Sequence, residues 1–442
     1  MRSAGTVVLL VSPHSGIIET WLPVLCRLRE RYPETRVHAI LPRPEATPSI
    51  DFDDFAIRRS RSVWNSWIQA LPTDNWIELS SPRWIGLGRF AARAARRIQR
   101  RMGTSAPADR ELRARKLAQT FLSRFGRSFT EGVSTVLCDL ADLRHPELGA
   151  LVRLFANAGI FCQAHGVDIR ALPETTLDVC NKRKTVSTYT QGRKITALLL
   201  AESERDYYRE SYGLDDSQIM ICGVLRHDPD WLKSLSEGDF ARPPLTKPYV
   251  FVASRPISEN FLPRETKHKI LDLVHDYARQ EGLVVAIRKH PVERQRGHTE
   301  IEACLGKAGQ ANGWFDSRCH PLHLGYHADL TVTLYSSIAI DLACLNRSVI
   351  EPIDFTNCRA QTPNIRIGED GKFVSFYQKA GFATRARDRE EFFSIADLMR
   401  HGKRKKPQPR AVYDHYYANP EGAVEEITRM IHHGDSNRYG VD

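Results

Sequence analysis

The chain has 442 residues, too many for one ordinary hydrophobic core, so two domains are expected. A hydrophobic fraction of 42% excludes wholesale disorder, and no stretch approaches the ~20 apolar residues of a membrane-spanning helix. The net charge of +10 favours an anionic partner, whether nucleotide, acidic headgroup, anionic glycan or nucleic acid.

The chain opens on strand, loop, helix and strand: "TVVLLV" (6–11), "SPHSGIIET" (12–20), "WLPVLCRLRERYP" (21–33) and "RVHAIL" (36–41). Its apolar run is too short for a signal peptide and lacks a small-residue cleavage site. Continuous apolar strands alternating with amphipathic helices predict a parallel sheet covered on both faces. The rhythm returns in "STVLCD" (134–139), "PELGALVRLFANAG" (146–159) and "IFCQAH" (160–165). "ITALLLAES" (195–203), the helix "ERDYYRESYG" (204–213) and "QIMICGV" (218–224) close the series.

Residues 83–127 interrupt this rhythm as a basic insertion. Within the segment 84–102, Arg89, Arg93, Arg96, Arg97, Arg100 and Arg101 share one side of a predicted helix, opposite Trp84, Leu87, Ala91, Ala94, Ile98 and Met102. Such a helix suits an anionic membrane surface, though a docked domain helix with solvated arginines has the same two faces.

Residues 233–248, "KSLSEGDFARPPLTKP", lack apolar periodicity and read as a linker. The rhythm then restarts with "YVFVAS" (249–254), the helix "PRETKHKILDLVHDYARQEG" (263–282), "LVVAIRK" (283–289), "ADLTVTL" (328–334) and the helix "SIAIDLACLN" (337–346). The expected organisation is therefore an N-terminal doubly wound α/β domain over 1–232 and a second over 249–442 that ends in a helix. Nine cysteines, odd in number and with no CxxC pair, read as reduced thiols of a cytoplasmic protein.

Ligands of such sheets bind beyond the carboxyl ends of the strands. There, "RKHP" sets Lys289 and His290 as phosphate partners, while Pro291 restrains the backbone that aims the imidazole. Ser336 and Ser337 stand where a strand meets a helix start, so they either cap that helix, face a phosphate, or do both. Asn346 suits the left-handed turn that ends the helix. Cys319, His320, His323 and His327 imitate zinc spacing, but Gly325 interrupts the run and no second ligand cluster accompanies it, so no metal is expected.

A strand ending in Lys-His-Pro, followed by strand–SerSer–helix, resembles the C-terminal half of GT-B glycosyltransferases of bacterial capsule and lipopolysaccharide assembly. Sialyl- and Kdo transferases of that group carry HP and SS motifs around a CMP donor. "YSSIAIDLACLNRSVIEPID" is also similar to CDP-glycerol glycerophosphotransferases, and "AHGVDI" (164–169) and "GVLRHD" (223–228) resemble N-terminal elements of these relatives. The resemblance implies an α/β, GT-B fold with two Rossmann-like domains facing a central cleft. It implies an inverting, metal-independent glycosyltransferase that needs no cofactor and uses a nucleotide-activated sugar, CMP-linked, as donor substrate. The acceptor would be a surface polysaccharide or a lipid-linked glycan, and the enzyme cytoplasmic or peripheral on the inner membrane face.

Against that frame, Arg255 and Glu351 join the nucleotide residues, the first toward a phosphate and the second toward a ribose hydroxyl. The relatives' acidic pair, their general base, has its only counterpart in Glu369-Asp370-Gly371, in the wrong half. His165 or Asp168 is then the expected base, unless both merely shape a glycine turn. Ser15, Gly16 and Arg226 are expected toward the acceptor. CDP-polyol phosphotransfer and nucleotide-sugar 2-epimerisation stay open on the same architecture. Nucleic acid is not an expected partner, because the arginines cluster on one helix and no RNA-binding motif appears.

Overall fold

The computed structural model describes residues 5–11, 16–42, 58–71, 75–79, 110–139, 143, 145–164, 195–290, 293, 299–355, 365–401, 409–417 and 419–433. They divide between two compact units: one holds the chain through Trp231 together with its last helix, Ala423–His433, and the other runs Leu232–Tyr417.

The first unit is an 8-stranded sheet with order β4-β3-β2-β1-β5-β6-β7-β8. The strands are β1 (Thr6–Leu10), β2 (Arg36–Leu41), β3 (Ser66–Ala70), β4 (Trp76–Leu79), β5 (Val133–Cys138), β6 (Gly159–Cys162), β7 (Ile195–Leu199) and β8 (Ile219–Ile221). All pairs are parallel except β3–β4. The side-chain period of two sends Val7, Leu9, Val37 and Ala39 into one core and Val8, Leu10, Ile40 and Val136 into the other. Helices Gly16–Arg31 and Ala423–His433 cover the first face.

That last helix corrects the expectation that the second domain runs to 442. Val424, Ile427 and Ile431 are buried on one stripe against the first unit's core, and the Thr135 hydroxyl donates to the Ile431 carbonyl at 3.1 Å. Each such side chain contributes about 1.5–3 kcal/mol on burial. The basic insertion is corrected too, as far as it is described. Residues 80–109 lie outside the described residues, whereas Arg110–Gly132 is a helix, broken at Gly126 (φ 78°). Its Leu117 and Phe121 enter the opposite core beside Trp76, so it belongs to the domain itself.

The second unit has a 6-stranded parallel sheet of order β11-β10-β9-β12-β13-β16. These are β9 (Tyr249–Ala253), β10 (Val284–Arg288), β11 (Trp314–Asp316), β12 (Leu330–Thr333), β13 (Ile350–Glu351) and β16 (Thr384–Arg385). A small antiparallel hairpin, β14 (Ile365–Ile367) with β15 (Phe373–Ser375), adjoins it in sequence. Short strands β3, β4, β11 and β14 to β16 escape the sequence reading because two to five residues carry little periodicity.

The expected linker begins inside a helix, Pro229–Glu237, and its remainder is seated on the second unit. Phe240 stacks on His323 at 4.6 Å, while the His323 and His327 Nε2–H groups donate to the carbonyls of Arg242 (2.8 Å) and Phe240 (2.6 Å). The zinc-like run is thus a set of linker clasps, and His320 caps the helix Pro321–His327 by accepting from the Leu322 N–H. Burial lowers the His323 pKa below 6.5, with the neighbouring His327 and His320 adding to the effect. The unfolded chain therefore takes up this proton first as pH falls. Stability is full above about pH 6.5 and declines toward the folded value. In urea titrations at pH 7 and pH 5, His323→Gln should lose less midpoint than the unsubstituted chain; equal losses would remove His323 from the acid sensitivity.

Candidate functional site

A parallel sheet delivers neighbouring strand ends to one edge, about 4.8 Å apart. In the second unit Ala253 of β9 pairs with Arg288 of β10 on one side and with Thr333 of β12 on the other. Ser254 and Arg255, Lys289 and His290, and Leu334 and Tyr335 therefore leave the sheet side by side. The strand order also turns at β9, with β10 and β11 to one side and β12 to the other. That is the switch point at which open α/β sheets take their ligands.

The turn after β12 is conformationally unusual. Tyr335 has φ 61°, a left-handed backbone rare for a bulky residue. Around it the Ser336 N–H donates to Thr333 Oγ1 (3.1 Å) and the Ile338 N–H to Ser336 Oγ (3.4 Å). Ser337 is the N-cap of the helix Ile338–Cys344 but makes no side-chain cap bond. Asn346 ends that segment at φ 56°, as its sequence position led one to expect.

Arg255 holds this turn from above. Its Nη1 donates to the Tyr335 carbonyl at 2.5 Å, and its guanidinium lies 4.7 Å from the Tyr335 ring and 5.5 Å from that of Phe261. Glu351 holds it from below. It is fully buried, and its carboxylate accepts the Ser375 hydroxyl. Burial pushes the Glu351 pKa up to about 8, against the opposing hydrogen bonds of Ser375 and the Tyr335 backbone and the charge of Arg255.

A second layer lies beneath Arg255 and His290. Lys267, on the helix Arg264–Gln280, is 0% exposed and shares a stripe with Ile270, Leu271 and Val274. Its Nζ donates to the Arg255 carbonyl at 2.9 Å, forms an ion pair with Glu293, and lies 3.7 Å from Glu300. Glu293 is 6% exposed. Its Oε1 also accepts the Ser254 hydroxyl at 2.9 Å, and its Oε2 accepts the His290 backbone N–H at 2.8 Å.

The expected nucleotide residues thus separate. Arg255, His290, Ser336 and Ser337 converge at the switch point, with His290 exposed and the others half-buried. Lys289 does not join them: it is 2% exposed, pairs with Asp316 at 3.6 Å and lies 6.0 Å from the Trp314 ring centre. Consecutive residues leaving a strand point to opposite sides, which sends Lys289 inward as His290 turns out. Glu351, expected at a ribose, is a buried brace, because β13 ends beneath the Tyr335 turn. Pro291 lies outside the described residues.

In the first unit, Gly16 opens the helix Gly16–Arg31 and its carbonyl accepts the Thr20 hydroxyl at 2.9 Å. It lies beside that sheet's own switch point, between β1 and β5. Arg226 is half-buried in the turn Leu225–His227 after β8. Gln163, one residue past β6, ties this turn down: its Nε2 donates to the Gly223 carbonyl at 3.0 Å and its Oε1 accepts the Leu225 N–H at 3.4 Å. Ser15, His165, Asp168 and the basic segment 84–102, expected as a helix, lie outside the described residues. Glu369, Asp370 and Gly371 form the turn of the β14–β15 hairpin, where Asp370 pairs with Arg385 at 3.2 Å and Arg387 at 3.7 Å.

The roles of Lys267, Glu293 and Ser254 went unnoticed in the sequence. One signal was available: a lysine at 267, on the stripe of 270, 271 and 274, is a charge on a core face, and such a charge requires a buried partner.

No protein-family model matches the chain, and no curated protein matches it in sequence. Among solved structures it is similar to a putative UDP-N-acetylglucosamine 2-epimerase from Listeria monocytogenes, at TM-score 0.56 and 11% identity over 99% of this chain and 98% of that one. The wall teichoic acid polymerase TagF matches at TM-score 0.56 and 13% identity over 97% of this chain and 89% of that one. The UDP-GlcNAc 2-epimerase of Methanocaldococcus jannaschii matches at TM-score 0.54 and 12% identity, covering 96% and 98% of the two chains. At these identities the likeness establishes the fold: the chain is an α/β protein of GT-B type, with two Rossmann-like units.

Proposed function

We propose that this chain is a nucleotide-dependent transferase whose second unit binds the phosphates of a cytidine-linked donor at the β9–β10–β12 switch point. The observation that carries the reading is the in-register convergence of Arg255, His290 and the Tyr335–Ser337 turn on one sheet edge. Arg255 supplies guanidinium donors, His290 a ring N–H, and the turn its hydroxyls. These groups lie where charge develops on a departing nucleotide, so they stabilise the leaving group. Metal-independent, inverting transfer of a CMP-linked sugar to a surface polysaccharide or lipid-linked acceptor follows as the leading chemistry. In it His165 or Asp168 takes the acceptor proton, and Ser15, Gly16 and Arg226 contact the acceptor. The basic segment 84–102 would hold the enzyme at an anionic membrane face; among the described residues no helix is long and apolar enough to cross a membrane.

The likeness to TagF, of which one similar structure was soaked with CDPG, favours polyol-phosphate transfer as the second reading. The epimerase neighbours keep isomerisation of a UDP-sugar as a third.

Thermal shift with CMP, CDP, UMP, UDP and GDP tests the nucleotide site. A ligand at 100 times its Kd adds about 2.7 kcal/mol. The expected result is stabilisation by CMP or CDP that His290→Ala abolishes. Stabilisation by UDP alone would turn the reading to the epimerases, and no shift from any nucleotide would overturn it. Incubation with a CMP-sugar or with CDP-glycerol then distinguishes glycosyl from phosphoryl transfer by whether phosphate reaches the acceptor.

A further inference from the structure

The buried pair Lys267–Glu293 performs a task that packing alone does not require. Apolar residues of similar volume commonly hold a core as well as a buried ion pair does. What no apolar pair can do is bind polar groups of two different loops at once. The Glu293 carboxylate joins the helix Arg264–Gln280 through Lys267, the end of β9 through the Ser254 hydroxyl (2.9 Å) and the end of β10 through the His290 backbone N–H (2.8 Å). Lys267 completes the circuit by donating to the Arg255 carbonyl at 2.9 Å. Two of the residues that converge at the switch point, Arg255 and His290, are therefore both fastened by their main chains to one charged pair beneath them.

We infer that Lys267 and Glu293 are positioning residues of the phosphate site, fixing the main chain at Arg255 and His290 so that guanidinium and imidazole meet one nucleotide phosphate together. The inference rests on the nucleotide reading proposed above and adds the parts that set its geometry. Neither residue touches the ligand; each acts through the loop it holds. A site that needs two donors at fixed separation loses binding when either loop drifts, even if the fold is intact.

Two double variants separate positioning from folding, since both remove the whole ion pair and leave no lone buried charge. Lys267→Met with Glu293→Gln keeps an amide oxygen for the His290 N–H, whereas Lys267→Met with Glu293→Leu keeps volume but no acceptor. Calorimetric titration with the nucleotide panel should show the Leu variant, which loses the ties to both loops, weakened at least about tenfold, and the Gln variant, which loses only the Lys267 tie to the Arg255 carbonyl, weakened less, by about threefold. Amide hydrogen exchange of the peptide 284–290 should rise in the Leu variant only. If both double variants bind alike, or exchange alike, the positioning role is overturned while the nucleotide site stands. If the Leu variant does not fold, Glu293→Asp decides. It keeps the charge near Lys267 but withdraws it from His290, and undiminished affinity there would overturn the role. If the unsubstituted chain binds no nucleotide, the functional reading falls and this inference with it, whatever the exchange data show.

Discussion

Lys267→Met on its own should lower the stability of the second unit by about 3–5 kcal/mol, because it leaves the Glu293 carboxylate enclosed without its counter-ion. Lys267 has no exposed surface and Glu293 only 6%, so water cannot replace the missing charge without opening the loop. Glu300, at 3.7 Å, is 30% exposed and keeps its contact with water, so the enclosed charge is that of Glu293. Adding Glu293→Gln to that variant should recover stability to within about 1 kcal/mol of the starting chain, since a neutral pair carries no desolvation cost of that size. Urea denaturation of the three chains checks both statements. A single-variant loss below about 1 kcal/mol would mean that solvent reaches the pair and that the charge is not confined.

Glu351 gives the other large expected effect, this time in pH. Its folded pKa, near 8, lies above its ordinary value of 4.5, chiefly through burial. Between those values the unfolded chain ionises while the folded one keeps its proton. The sign is therefore that of a raised acid: its contribution is complete below about pH 4.5, declines as pH rises toward 8, and is flat above. The slope from this one group is at most about 1.4 kcal/mol per pH unit. Glu351→Gln stays neutral throughout and can still accept the Ser375 hydroxyl, so its stability should not show that decline. Below about pH 4.5 the two chains should melt alike; by pH 8 the variant should be the more stable. Parallel melting curves across the range would show that Glu351 ionises freely and that the Tyr335 turn does not depend on a neutral brace.

The switch-point residues were legible unevenly, and the reasons are physical. "RKHP" and "YSS" stand out because polar residues directly after an apolar β-branched run mark a strand end, and strand ends are where parallel sheets expose their chemistry. Asn346 was legible because a left-handed residue favours a short polar side chain. Lys289 and Glu351 were misplaced, since sequence places a residue at a strand end but does not say which side of the sheet it faces. A slip of one residue in that judgement reverses the answer. Glu293 lies only three residues past His290, yet its role depends on Lys267 from another element.

Taken by itself, the sequence determined the alternation of strands and helices, the division near residue 232 and the strand ends at which to look. Those follow from local periodicity, which acts over ten or twenty residues and needs no partner. Only the tertiary structure decided that the last helix returns to the first unit, that the histidine run clasps the linker, and that a lysine–glutamate pair underlies the switch point. These depend on side chains between 26 and 296 positions apart in the chain meeting in a packed interior. Burial there decides whether a charge is a ligand group or a brace, and burial is a property of the assembled fold.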